Sequence, residues 1–147
     1  MRLTDALRGE HGVFYAWFDQ IETLLSEKAP VDVLRAQARA LAGALVPHAE
    51  LENTLLFAAL EPKIGPMGPL AVMRHEHEEI EAGIGAAAEE QDATVLAQKL
   101  SASLALARDH FNKEEQVLYP MAEQQLDDGE LVSLAREWAT SRRVSLR

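Results

Sequence analysis

The chain has 147 residues, 48% hydrophobic and 26% charged, with 8 Gly, 6 Pro, no Cys and a formal net charge of −10 at pH 7. That length supports one buried core and falls short of two ordinary domains, and the composition excludes disordered and fibrous chains. The negative charge repels phosphate backbones and anionic lipid surfaces, so neither nucleic acid nor membrane is an expected partner.

A chain without Cys has no disulfide, no thiolate nucleophile, no zinc-thiolate site and no cysteine-ligated cluster. Any metal must take nitrogen and oxygen ligands. The opening Met1-Arg2-Leu3-Thr4-Asp5 lacks the apolar stretch of a signal peptide, and no apolar run approaches the ~18 residues of a membrane span. The expectation is a cytoplasmic protein, complete as given, forming one domain over residues 1–147.

Apolar residues recur at three-and-four spacing almost throughout, which predicts an all-α chain with helices near 4–26, 31–60, 69–89, 93–119 and 127–141. The first helix carries an apolar seam of Leu7, His11, Phe14, Phe18, Ile21 and Leu25. Pro30 opens the second, whose seam runs Leu41, Leu45, His48, Glu52, Leu55, Ala59. Residues 61 to 69, with three prolines and two glycines, break the chain before the third helix, whose seam is Leu70, Met73, His77, Ile80, Ile84. The fourth runs Leu100, Ser103, Ala107, His110, Glu114, Val117, Met121. Asp127 with Glu130 resembles a capping box at the start of the last. Short connections make successive helices antiparallel neighbours, an up-down-up-down four-helix bundle over about 4–122 with a short C-terminal helix.

The chain repeats itself weakly. Glu10-His11 recurs as Glu76-His77, and His48-Ala-Glu-Leu-Glu52 as His110-Phe-Asn-Lys-Glu114, at offsets of 66 and 62 residues. Two helical hairpins of similar design therefore pack about a pseudo-twofold axis. Each of the four long helices points one His inward, and the second and fourth add a Glu at i+4 on the same face. At 1.5 Å rise per residue, His11, His48, Glu52, His77, His110 and Glu114 all fall roughly 8–18 Å from one end of the bundle. Two buried carboxylates would each cost several kcal/mol uncompensated, and no Lys or Arg occupies these seams. A bound cation is the simplest compensation. Imidazole and carboxylate ligands suit iron, manganese or zinc, and six exceed one tetrahedral zinc site. Two ions about 3.5–4 Å apart fit, each taking two His, with both Glu and an oxo or hydroxo group bridging.

His11, His48-x-x-x-Glu52, His77 and His110-x-x-x-Glu114 resemble the H-HxxxE-H-HxxxE signature of hemerythrin-like (HHE cation-binding) domains, over about residues 8 to 122. The Glu-x-x-His motif of ferritin-like bundles is absent, since Arg8, Leu45, Arg74 and Ala107 stand three residues before the four His. The resemblance implies two iron ions, oxo- or hydroxo-bridged, that meet O2, NO or peroxide in sensing, stress response or iron handling. Oxygen-carrying hemerythrins offer a second His four residues from the first on the third helix. Here Met73 and Glu81 flank His77 at that spacing. Reaction with the small molecule, instead of reversible carriage, is the expectation. The Cys-containing N-terminal segment of the longer iron-centre repair proteins is also missing.

Two other roles stay open: a di-iron oxidase or peroxidase, and an iron store or sensor acting through a protein partner. Tyr15 or Glu81 facing the metals would favour the enzyme. An exposed apolar patch near Leu131, Leu134 and Trp138 would favour the sensor. His75, two positions from His77, is expected to face solvent, and so is Glu81 in its acidic stretch. Tyr15, at i+4 from His11, either aims its hydroxyl at the metal layer or packs its ring with the hydroxyl at the surface. Pro47 either kinks the helix to shape the site or marks a helix restart.

Overall fold

The computed structural model describes residues 1–146, and among them every regular element is helical. Helix α1 spans Leu3–Ser26, with Asp5 accepting the Arg2 N–H at 2.8 Å where the helix begins. Helix α2 (Val31–Leu51) starts behind Pro30 and continues without a break through a π-helical turn, Glu52–Phe57, into α3 (Ala58–Ile64). The connection that follows needs positive φ at Gly65 (84°) and Gly68 (65°), conformations open to glycine at little cost. Helix α4 (Pro69–Glu89) has proline in its first turn, where no N–H is needed. Helix α5 (Ala93–Lys113) is capped by Asp92 accepting from the Val95 N–H at 2.9 Å, and it passes through a second π turn, Glu114–Leu118, into α6 (Tyr119–Gln125). Helix α7 (Asp128–Arg142) opens on the expected capping box between Asp127 and Glu130.

Five helical rods result, as the periodicity predicts, but the second and fourth outrun their expected ends. They reach Ile64 and Gln125, with Ile64 partly buried against the core and Ala122 fully buried in the added turns. The rod α2–α3 packs on α4, α4 packs on α5, and α1 lies against α2, α5 and α7. Gly83 lets α4 approach α5 closely, since a Cβ there would stand 2.5 Å from Ser103 Oγ.

The core has two parts. Phe18, Ile21, Leu41, Ile84 and Leu100 belong to one apolar cluster, and Leu7, Leu56, Phe57, Leu60 and Leu131 to the other. Helix α7 seals the second cluster through Leu131 and Ala135, with Leu134 and Trp138 half-buried beside them. The apolar patch considered for this helix is therefore covered by the chain itself.

Candidate metal centre

His11, His48, Glu52, His77, His110 and Glu114 are all buried. Four helical rods contribute them. His11 comes from α1, His48 and Glu52 from the second rod, His77 from α4, and His110 and Glu114 from the fourth rod.

Both π turns begin on a site glutamate. A π turn carries one residue more than an α turn, so everything beyond it rotates relative to α-helical register. This corrects two of the expected seams. After Glu52 the buried positions are Leu56, Phe57 and Leu60, not Leu55 and Ala59. After Glu114 they are Leu118, Tyr119 and Ala122, while Val117 is 54% exposed and Met121 is only half-buried.

The inward ring nitrogens and the carboxylates form two quartets. His11, His48, Glu52 and Glu114 place ligand atoms within 4.8 Å of one another, and so do Glu52, His77, His110 and Glu114. The two glutamates belong to both. In the first quartet His11 Nε2 stands 3.1 Å from His48 Nε2 and 3.3 Å from Glu114 Oε2, and His48 Nε2 stands 3.5 Å from Glu52 Oε2. In the second, His77 Nε2 is 3.1 Å from Glu52 Oε2 and 3.6 Å from Glu114 Oε1, and His110 Nε2 is 2.9 Å from Glu114 Oε1.

The opposite nitrogen of every imidazole is held from outside. His11 Nδ1 meets Glu115 at 2.9 Å, His48 Nδ1 meets Glu10 at 2.6 Å, His77 Nδ1 meets the Asn53 side-chain oxygen at 3.2 Å, and His110 Nδ1 meets Glu76 at 2.8 Å. Each acceptor fixes its Nδ1–H outward and turns the Nε2 lone pair toward the centre, the arrangement that orients metal-binding histidines. Two facing lone pairs 3.1 Å apart, at His11 and His48, then call for a cation. His110 Nε2 and both Glu114 oxygens are buried without a well-formed hydrogen bond, which makes the same demand. The donor set fits a pair of metal ions.

Without metal, protons supply the positive charge. Burial disfavours the His77 imidazolium, yet Glu114 and Glu52 more than offset this and raise its pKa to about 9. His48 and His110 rise against their burial as well, through Glu52 with Glu10 and through Glu114 with Glu76. Burial opposes the Glu114 carboxylate, but His11, His110 and His77 hold its pKa well below the ordinary range.

Tyr119 was not singled out by the sequence. Its hydroxyl donates to Glu52 Oε1 at 2.5 Å and lies 3.1 Å from His11 Nε2, fully buried. Burial and the charges of Glu52 and Glu114 push its pKa well above the ordinary tyrosine value. Position i+5 from Glu114 would point away in an α-helix and reaches the site because of the π turn. Tyr15 stands edge-on to His11 and Phe111, and burial with Glu115 raises its pKa to about 12. His75 is exposed and pairs with Glu79 at 3.1 Å. Pro47 lies within an unbroken α2. Glu81 is half-buried at a slot of about 10 Å³ formed with Leu45, Ala49, Ile80 and Phe111, which touches His48, His77 and His110.

The model of the hemerythrin HHE cation binding domain matches residues 2–122. The chain belongs to this family. Its HHE region ends before α7, so the last helix lies outside the matched residues. Searches of curated proteins and of solved structures returned no match. Membership in a cation-binding family agrees with the buried His/Glu cluster, and among the described residues no helix is long and apolar enough to cross a membrane.

Proposed function

We propose that this HHE chain holds two iron ions, on His11, His48, Glu52, His77, His110 and Glu114, and that the pair binds or reacts with a small molecule such as O2, NO or peroxide. The observation that carries this reading is the sharing of Glu52 and Glu114 by both quartets. Glu114 turns Oε2 to His11 and Oε1 to His77 and His110, as a carboxylate bridging two ions would, while Glu52 presents Oε2 to both His48 and His77. Four His and two Glu, with a solvent-derived bridge, would supply five donors to each iron and would leave one position for the small molecule. Iron supplies redox chemistry and a Lewis acid at that position.

The chain's own residues arrange the rest. Glu10, Asn53, Glu76 and Glu115 orient the four rings. Phe111 stacks on His11 at 3.8 Å between ring centres and excludes water from that corner, while the slot beside Ala49, about the size of one water, lies toward His48, His77 and His110 and would have to widen to pass a diatomic. Tyr119 holds a proton on Glu52 Oε1, beside His11. The topology supporting the site is an up-down-up-down bundle forming one domain with its C-terminal helix.

A peroxidase- or oxidase-type enzyme is the second reading, favoured by Tyr119, a buried proton donor at the centre. Metal analysis after anaerobic iron loading tests the first part, with two irons per chain expected. Exposing the reduced protein to O2 and then degassing tests the second. Irreversible oxidation supports reaction, and a stable oxygenated form that reverts on degassing would make the protein a carrier.

A further inference from the structure

The pseudo-twofold repeat makes Glu10 and Glu76 counterparts, each accepting the Nδ1–H of the next site histidine, His48 or His110. Their own supports differ. Glu76 is held by Lys113 of α5, three residues beyond His110, and Lys113 also pairs with Asp109 at 2.9 Å. The residue matching Lys113 in the first half, 62 positions earlier, is Leu51, which carries no charge. Glu10 therefore receives no cation from the rod that bears its histidine.

Helix α7 supplies one instead. Arg142 reaches both oxygens of Glu10, with Nε 2.6 Å from Oε1 and a terminal nitrogen 3.0 Å from Oε2. Trp138 Nε1 adds a third donor at 2.9 Å to Oε1, while His48 Nδ1 donates to Oε2. Four donor contacts converge on one carboxylate, and three come from a helix beyond the HHE region. A forked guanidinium spanning both oxygens fixes the plane of a carboxylate, as a single ammonium does not.

We propose that α7 is a positioning element for one half of the metal centre, in which Arg142 and Trp138 lock Glu10 and through it aim His48 Nε2, so that the C-terminal helix sets how firmly the His11–His48 corner holds its ion. The proposal rests on the two-metal reading. Partners of metal-bound histidines that lie one bond outside the ligands typically change affinity by about 10–100-fold.

The test loads the full chain with ferrous iron under anaerobic conditions and follows release of each equivalent to an excess of chelator. In Arg142→Gln, one of the two irons is expected to leave at least ~10-fold faster than in the parent, with the other unchanged. Trp138→Phe keeps the ring packed, removes one donor and should give a smaller change of the same kind. Lys113→Gln is the mirrored case and should loosen the other iron, so that the double variant with Arg142→Gln releases both quickly. Arg142→Lys, which keeps the charge without the fork, should recover part of the retention. Two irons released together and faster in Arg142→Gln, with a lowered Tm, would reduce α7 to a packing element and overturn the proposal. Unchanged release of both would overturn it too. A parent protein that binds no iron would instead overturn the two-metal reading.

Discussion

The two halves of the molecule match closely around the candidate metal centre and then part company. His11 with Glu10 and Arg8 corresponds to His77 with Glu76 and Arg74, and His48 with Glu52 and Phe57 corresponds to His110 with Glu114 and Tyr119. The correspondence is structural as well. Phe57 stacks on His77 and Tyr119 on His11, both at 5.5 Å. Arg74 lies over Phe57 and pairs with Glu61, while Arg8 lies over Tyr119 and pairs with Glu123. Each half also begins its π turn at the glutamate that both quartets share. The halves also differ, and Asn53 meets His77 Nδ1 where the other half has Glu115 on His11 Nδ1. Ala49 stands where the other half has Phe111, Phe57 where it has Tyr119, and Leu51 where it has Lys113. Under the two-iron proposal, symmetric residues would hold the ions, and asymmetric ones would set from which side the centre is reached and where a proton waits.

The largest effect should come from breaking what the halves share. Glu52→Ala or Glu114→Ala removes a residue common to both quartets, so elemental analysis should find both ions lost. A variant retaining one tightly bound ion would show that the carboxylates do not bridge. Removing the metal from the unaltered protein should lower Tm by roughly 10 °C, since ligand at about a thousandfold excess over Kd contributes about 4 kcal/mol. An unchanged melting curve for verified metal-free protein would contradict this.

The metal-free protein should also respond to pH. His77 has a folded-state pKa of about 9 against an ordinary 6.5, so folding favours its protonated form. That contribution is complete below pH 6.5 and disappears as pH rises through 9. Melting of the demetallated chain is therefore expected at a lower temperature at pH 9 than at pH 6.5. Metal affinity should move the opposite way, because the ions compete with those protons.

Two substitutions make the halves alike. Ala49→Phe copies Phe111 and fills the slot, and it should slow the reaction of the reduced protein with O2 or NO in stopped-flow traces while two irons remain. Overpacking should cost about 1–3 kcal/mol in the melting curve. An unaltered rate would place access elsewhere. Tyr119→Phe copies Phe57, keeps the ring on His11 and removes the donor to Glu52. Iron content should persist, peroxide turnover should fall about 100-fold if the hydroxyl delivers a proton, and stability should drop by about 1.5–3 kcal/mol. His75→Ala defines the floor, with a stability change within about 0.5 kcal/mol and full iron content.

The sequence by itself picked out the six His and Glu residues that are buried together and the helices that present them. An i, i+4 pair on a helix shares a face whatever surrounds it, so His48 with Glu52 and His110 with Glu114 were legible from spacing. The apolar seams of α1 and α4 likewise fixed the depth of His11 and His77, and proline, glycine and Asp127 with Glu130 marked the breaks. Local rules fail once the register changes. A π turn has no signature in hydrophobic spacing, so α-helical register leaves Tyr119 outside the site and puts Val117 and Met121 in a seam they do not occupy. Tertiary structure decided the rest: which outer residue takes each Nδ1, which corner Phe111 fills, and that α7 reaches back to Glu10 across more than a hundred residues. Those pairings depend on how separate rods rotate and pack against one another, a property of the assembled core that no single helix carries.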